Sequence, residues 1–178
     1  MKRLHVRAAL LLALAMGAMS HTASSASPSS LRKLMEQQYR KMDQAAARLD
    51  LKGYTSYAAS DIVGADEGET FTGTEQFAKH LSEDFDATKK MYVFTSKISH
   101  LSGVDDLVKV DLTTHMVCDS ADPEGKYGPK GAVHRFDIEM MFHHEWRRMS
   151  NRWLITRFDT VGFSGTMDGQ AIPQPEPK

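Results

Sequence analysis

The sequence predicts an α+β domain in which N-terminal helices cover a curved, mainly antiparallel sheet, and three observations point to it. Apolar residues recur at helical intervals only in the first half of the chain. From Met91 onward the period becomes two. The segments of the second half are long and joined by short turn-forming stretches, the clearest being Phe136 to Asp159 with its break at Met149-Ser150-Asn151. Helices first and strands afterwards place the helices on the apolar side of the sheet. Long strands also twist and curl, so the covered sheet becomes a cone-shaped barrel whose wide end is hard to fill with side chains. A cavity is the expectation that follows.

At the N-terminus, Lys2, Arg3 and Arg7 precede an uncharged apolar run from Ala8 to Met19, followed by the small and polar residues Ser20 to Ser30. This is a secretory signal pattern, with cleavage after Ala26 or, as the competitor, at Ala18-Met19-Ser20. The run is shorter than the ~20 residues of a membrane span. Residues 1–26 therefore read as a signal peptide, and the mature chain as exported to the periplasm or the exterior, with no membrane span after cleavage. The single cysteine, Cys118, is far from the leader, so it offers no lipid attachment there and no internal disulfide.

Removing the leader moves the formal charge from -1 to about -4. Lys and Arg alternate with Asp and Glu instead of clustering, which argues against a nucleic-acid partner. About 130 to 150 mature residues suffice for one domain with one core. That domain is expected over 27–163, followed by a disordered or extended tail, 164–178, with Pro173, Pro175 and Pro177.

The first helix starts at Pro28-Ser29-Ser30 and carries Leu31, Leu34, Met35, Met42, Ala46 and Leu49 as one apolar stripe, with Tyr39 near its edge. After a break at Asp50 to Gly53 comes a short helical turn with Tyr54, Tyr57 and Ala58 on one side. Ile62-Val63-Gly64 reads as a short strand ending in the turn-rich Ala65 to Thr70. Thr72-Gly73-Thr74-Glu75 has the form of a capping box, opening a helix with Phe77, Leu81 and Phe85 on one face.

In the sheet half, Val108, Val110, Leu112, Thr114, Met116 and Cys118 share one face of the segment 106–118. In the segment 132–147, His134, Phe136, Ile138, Met140, Phe142, His144 and Trp146 oppose Arg135, Asp137, Glu139, Met141, His143, Glu145 and Arg147. The last strand, Trp153 to Phe163, is partly apolar on both sides, so its inward register stays open. Gly103-Val104-Asp105 and Met149-Ser150-Asn151 read as hairpin loops, and Ser120 to Gly131 as a longer one.

The order of an N-terminal helix, Leu49-Asp50-Leu51 leading to Tyr57-Ala58-Ala59-Ser60-Asp61-Ile62-Val63, Gly73 before a short helix, and long hairpins ending in Trp153-Leu154-Ile155 resembles the nuclear transport factor 2-like superfamily. The resemblance covers about residues 31–163 and is nearest to its SnoaL-like cyclases, ketosteroid isomerases and small exported domains. It implies a cystatin-like α+β roll and a homodimer formed through the outer sheet face. In the isomerases a tyrosine of the first helix and a late-strand acid bind an oxyanion while an aspartate moves the proton. Tyr39 is similar to that tyrosine. The aspartate's place falls near Gly64-Ala65, with Asp66 the closest acid, and the late-strand acid has no match because Asp137 and Glu139 lie on the polar face.

The candidate pocket residues are Tyr39, Tyr57, Asp61, His115, His134, Phe136, Met140, His144, Trp146 and Asp159. His134 and His144 are singled out as polar groups on an otherwise apolar face, where a buried ring needs a partner or orients a ligand. The other side of that reading is a histidine satisfied by its neighbours. Asp61 also reads as a turn residue, and Asp159 as a surface partner of Arg157 or Arg135. A metal centre is not expected: His143 and His144 point to opposite faces, and ten residues put His134 ~33 Å from His144 along a straight strand. No phosphate loop, nucleophile elbow or Cys-x-x-Cys is present, so no cofactor is expected. The function expected is binding of a small apolar or amphipathic molecule, with cyclase- or isomerase-type proton transfer in the same pocket as the alternative.

Overall fold

The computed structural model describes residues 28–172 except Glu67, Asp105 and Lys126. The signal-peptide reading and residues 173–178 of the tail lie outside the described residues. Helix α1 (Pro28–Ala47) leads to α2 (Leu51–Thr55), the hairpin β1 (Ala58–Asp66) and β2 (Glu69–Thr72), and α3 (Thr74–Ala87). Four long strands follow, β3 (Thr88–Val104), β4 (Leu107–Ala121), β5 (Val133–Met149) and β6 (Arg152–Met167), with a two-residue β7 (Gln170–Ala171).

The sheet order is β2-β1-β6-β5-β4-β3, with β7 on β6. Every pairing is antiparallel except β1 with β6, which is parallel and slips register between Ala58 and Val63. Register shifts also interrupt β3–β4 and β5–β6, the latter at Met141/Phe142 and Glu145/Trp146. Such irregularities add local twist and bend strands of this length around the helices. The core lies between α1, α3 and the inner face of the sheet, and includes Met35, Tyr39, Met42, Ile62, Phe77, Val108, Val110, Trp146, Ile155 and Phe158. Each large apolar side chain buried there contributes on the order of 2–3 kcal/mol of transfer free energy.

The helix stripe is as expected but centred differently. Leu31, Met35, Met42 and Ala46 are buried, Leu34 is only half-buried, and Tyr39, expected at the edge, is 2% exposed in the middle. The helix ends in a Schellman arrangement, with Leu49 N–H donating to Ala46 O at 2.9 Å and Asp50 N–H to Ala45 O at 2.9 Å. Leu49 takes the left-handed conformation at φ 56°. Asp50 then caps α2, its Oδ1 accepting from Gly53 N–H at 2.8 Å.

Four expectations change. The capping box does not form: Gly73 is the N-cap of α3 and makes no side-chain bond, while the Gln76 amide oxygen accepts Thr72 N–H at 2.9 Å. Glu75 is thus one position short of the reach-back. The turn-rich stretch Ala65 to Thr70 is largely strand, with β1 running to Asp66 and β2 starting at Glu69. The last strand does not stop at Phe163 but continues to Met167, turns, and pairs back through β7, with Ile172 N–H donating to Gly165 O at 3.0 Å. Finally, the centre of the cone is filled rather than hollow: Trp146, His144, Tyr39, Phe158 and Phe142 meet there, none more than 7% exposed.

Candidate functional site

The inner face of β5 carries three successive inward residues, Phe142, His144 and Trp146, under α1. Facing them is Tyr39. The indole N–H of Trp146 donates to the Tyr39 oxygen at 2.8 Å, and that hydroxyl lies 3.0 Å from Nδ1 of His144. The assignment that orphans fewest groups has Tyr39 donating its proton to Nδ1, which places the imidazole proton on Nε2. Nε2 is buried and has no hydrogen-bond partner. The ring is held between Phe158, stacked at 4.4 Å between centroids, and Phe142 at 5.5 Å. Burial, with a smaller contribution from the neighbouring His143, pulls the His144 pKa down to about 3. Burial also pushes the Tyr39 hydroxyl well above its ordinary range, despite the opposing hydrogen bond from Trp146. Both groups are neutral at physiological pH.

A second polar group lies on the same helix, one turn further along. Asp43 accepts from Ser96 N–H at 3.0 Å and Ser96 Oγ at 2.7 Å, and Ser96 Oγ sits 3.0 Å from the buried Thr114 Oγ1. Burial raises the Asp43 pKa, and the two bonds from Ser96 only partly oppose this. The buried Tyr54 hydroxyl is raised chiefly by burial and next by the Asp43 charge. Sequence reasoning missed Asp43, Ser96 and Tyr54 as site residues. The available signal was spacing, since Asp43 falls four residues after Tyr39 on one helix face.

Beyond the helices the inner face stays apolar but is only half covered. The β4–β5–β6 rows there are Met116–Ile138–Gly165 and Cys118–Phe136–Met167, while Met140 pairs with Thr114 and Phe163. Phe136 packs edge-on to Tyr127 of the 122–132 loop, and Met140 packs against the core cluster. Cys118 is buried, and desolvation raises its thiol pKa to about 11, so it is no nucleophile.

The ten candidates therefore separate. Tyr39, His144 and Trp146 come together in one bonded network, and Tyr57 touches it edge-on at 6.4 Å from Trp146. Phe136 and Met140 line the half-covered rows. His134, though on the same strand face as His144, lies at the far end, with Nδ1 2.7 Å from Asp168 Oδ2 and a buried Nε2 that has no partner. His115 points out from the convex face to Asp137 at 2.9 Å, and Asp61 is exposed on β1. Asp159 pairs with Arg157 and accepts Ala65 N–H at 3.1 Å, which ties the β1–β6 seam. Asp66, nearest to the isomerase aspartate's place, is bonded to His80 Nε2 at 2.9 Å. Among the described residues no cluster of three or more His, Cys, Asp or Glu side chains is arranged to hold a metal ion.

Two open clefts border the domain. One, of about 350 Å³, is lined by Leu34, Gln38, Lys41, Ser56, Tyr57, Asn151, Arg152 and Trp153. The other, of about 260 Å³, follows the β2–β1–β6 edge at Phe71, Arg157 and Asp159. Neither is lined by Tyr39 or His144.

The fold is that of the nuclear transport factor 2-like proteins, a cystatin-like α+β roll with an unclosed curved sheet. A putative dehydratase of the NTF2-like family from Streptomyces avermitilis is similar at a TM-score of 0.58 and 13% identity, over 75% of this chain and 96% of that one. A cystatin-like-fold protein of unknown function from Nostoc punctiforme aligns at 0.57 and 12% identity, over 84% and 96%. An NTF2-like protein from Cytophaga hutchinsonii aligns at 0.55 and 14% identity, over 74% and 97%. No protein-family model matches the chain, and no curated protein matches it.

Proposed function

We propose that this is an exported binding domain whose cone, filled as it stands, re-packs to take a small, mainly apolar or amphipathic molecule carrying one hydrogen-bond acceptor. The observation that carries the reading is the His144 Nε2–H, a buried donor with no acceptor in an apolar setting. Such a group costs about 1–3 kcal/mol until it is satisfied, so a carbonyl or ether oxygen placed there gains what the empty fold forgoes. The half-covered rows at Met116, Phe136, Ile138, Met140 and Phe163 are the side of the inner face from which such a molecule would enter. Methionine side chains re-pack readily, which suits a site that opens by displacing Met116 and Met140. Secretion rests on the Lys2 to Ser30 pattern.

Proton-transfer catalysis is the weaker reading. The Tyr39 hydroxyl already serves Trp146 and His144, and Asp66 is bonded to His80. A second copy would pair through the convex face. Its surface there alternates charges, as in Lys109–Glu145 at 3.2 Å and Asp111–His143 at 2.6 Å, around Met141, which is 42% exposed.

Mass spectrometry of the protein purified from the exported fraction, before and after organic extraction, tests the binding reading, with His144→Phe as control. A stoichiometric apolar molecule bearing a carbonyl or ether oxygen is expected, and its loss in the folded variant. Equal recovery from the variant counts against His144 as the anchor. Light scattering of the purified protein tests the dimer, and a monomeric mass removes it.

A further inference from the structure

The larger cleft lies outside the cone, where α1, the end of α2 and the β5–β6 hairpin meet. Its lining has an unusual balance for an acidic chain. Lys41 and Arg152 both border it, Gln38, Ser56 and Asn151 add polar groups, and none of its lining residues is a carboxylate. Among the described residues neither cation forms an ion pair. Three cations of the sheet, by contrast, face carboxylates: Lys109 meets Glu145, Arg135 meets Asp119 and Arg157 meets Asp159. Arg152 is also aimed. Its Nη2 donates to Ser56 O at 3.0 Å, which fixes the guanidinium against the end of α2 and leaves most of its five N–H donors free.

The remaining walls are apolar and largely aromatic: Leu34 from α1, Tyr57 from the α2–β1 turn and Trp153 at the start of β6. All three are half-buried and packed on the core cluster, so they are held in place rather than loose on the surface. A volume of about 350 Å³ is at the small end of ligand sites. Flat aromatic walls favour a ring, while a planar forked cation with a second cation in the same cleft favours a planar anion.

We propose that this cleft is a binding site for a small aromatic carboxylate, its ring between Tyr57, Trp153 and Leu34 and its carboxylate between Arg152 and Lys41. The site stands apart from the cone and does not need it. A molecule bound in the cone and one bound here are separable by the residues that respond.

Benzoate titrated into the full-length mature protein at low salt, followed by backbone NMR and indole fluorescence, tests it. Saturable shifts are expected at Gln38, Lys41, Tyr57, Arg152 and the Trp153 indole. Arg152→Gln, a change at an exposed position, weakens binding at least about tenfold, the equivalent of one charged hydrogen-bonded contact. Lys41→Gln weakens it less, added salt weakens the wild type, and the neutral benzyl alcohol binds far more weakly than benzoate. Four results overturn the proposal: no saturable shift up to the solubility limit of benzoate, equal affinity in a folded Arg152→Gln variant, equal affinity for benzyl alcohol, or shifts confined to Met116, Phe136 and Met140.

Discussion

Tyr39 and His144, 105 residues apart in sequence, are joined by a 3.0 Å hydrogen bond inside the core. The bond links the first helix to the central strand, and Trp146 gives it direction by donating into the same oxygen. Removing that one oxygen in Tyr39→Phe leaves the Trp146 N–H and the His144 Nδ1 unsatisfied while hardly changing volume. The expected loss is about 2–4 kcal/mol, read as a lower urea midpoint with an unchanged slope.

His144 also makes the domain acid-sensitive. Its folded pKa of about 3 lies below the ordinary 6.5, because burial disfavours the charged ring. The neutral form's contribution is full above about pH 6.5 and falls as the pH drops from there toward 3, at up to about 1.4 kcal/mol per unit. His80 acts in the opposite sense. Burial lowers its pKa, but the hydrogen bond and charge of Asp66, with Asp84 and Glu69, raise it overall, so its contribution is full below about 6.5 and is lost as the pH rises through the folded value. Urea midpoints at pH 7, 5 and 4 are expected to fall more steeply for the wild type than for His144→Phe. Parallel profiles would remove the assignment to His144.

Gly64 sits where β1 runs beside β6. A Cβ there would come within 1.9 Å of the Phe158 carbonyl oxygen and 2.4 Å of the Phe71 ring. Gly64→Ala must push the parallel seam apart, at a cost of about 3 kcal/mol or more. Hydrogen exchange is expected to rise at Val63 to Ala65 and at Phe158 and Asp159 before it rises in β4. Wild-type protection in that seam would show that the neighbours yield at little cost.

Leu49 occupies the left-handed cap position that usually falls to glycine. Leu49→Gly relieves about 1 kcal/mol of backbone cost, offset partly by lost packing of a half-buried side chain. The midpoint is expected to hold or rise. Asp50→Ala next door loses the α2 cap and about 1 kcal/mol. Thermal melts should place Asp50→Ala below the wild type and Leu49→Gly level with it or above.

The long strands were legible because period two is written plainly in β4 and β5. The helix stripe was legible as well, but its centre was not. Tyr39 carries a hydroxyl and so ranks as an edge residue, and only the presence of Trp146 and His144 opposite makes its burial favourable. Asp43 reads as surface charge for the same reason, although Ser96 satisfies it. His134 and His144 look equivalent in alternation, yet α1 covers one and the Asp168 turn holds the other. The extension of β6 beyond Phe163 was hidden because Ser164, Gly165 and Thr166 bury little. Gly165 is held there by closeness, since a Cβ would meet the Asp137 carbonyl oxygen at 2.3 Å.

The parallel seam between β1 and β6 has a consequence for the order in which the chain assembles. The three hairpins from β3 to β6 join neighbours in sequence, whereas Ala65 meets Asp159 across 94 residues. Loop-closure entropy delays such distant pairings, so the four-stranded meander is expected to form first and the seam, with the Tyr39–His144 bond, to close last. Substitutions at Tyr39 or Gly64 should then chiefly speed unfolding, and those at Val110 or Phe142 should slow refolding.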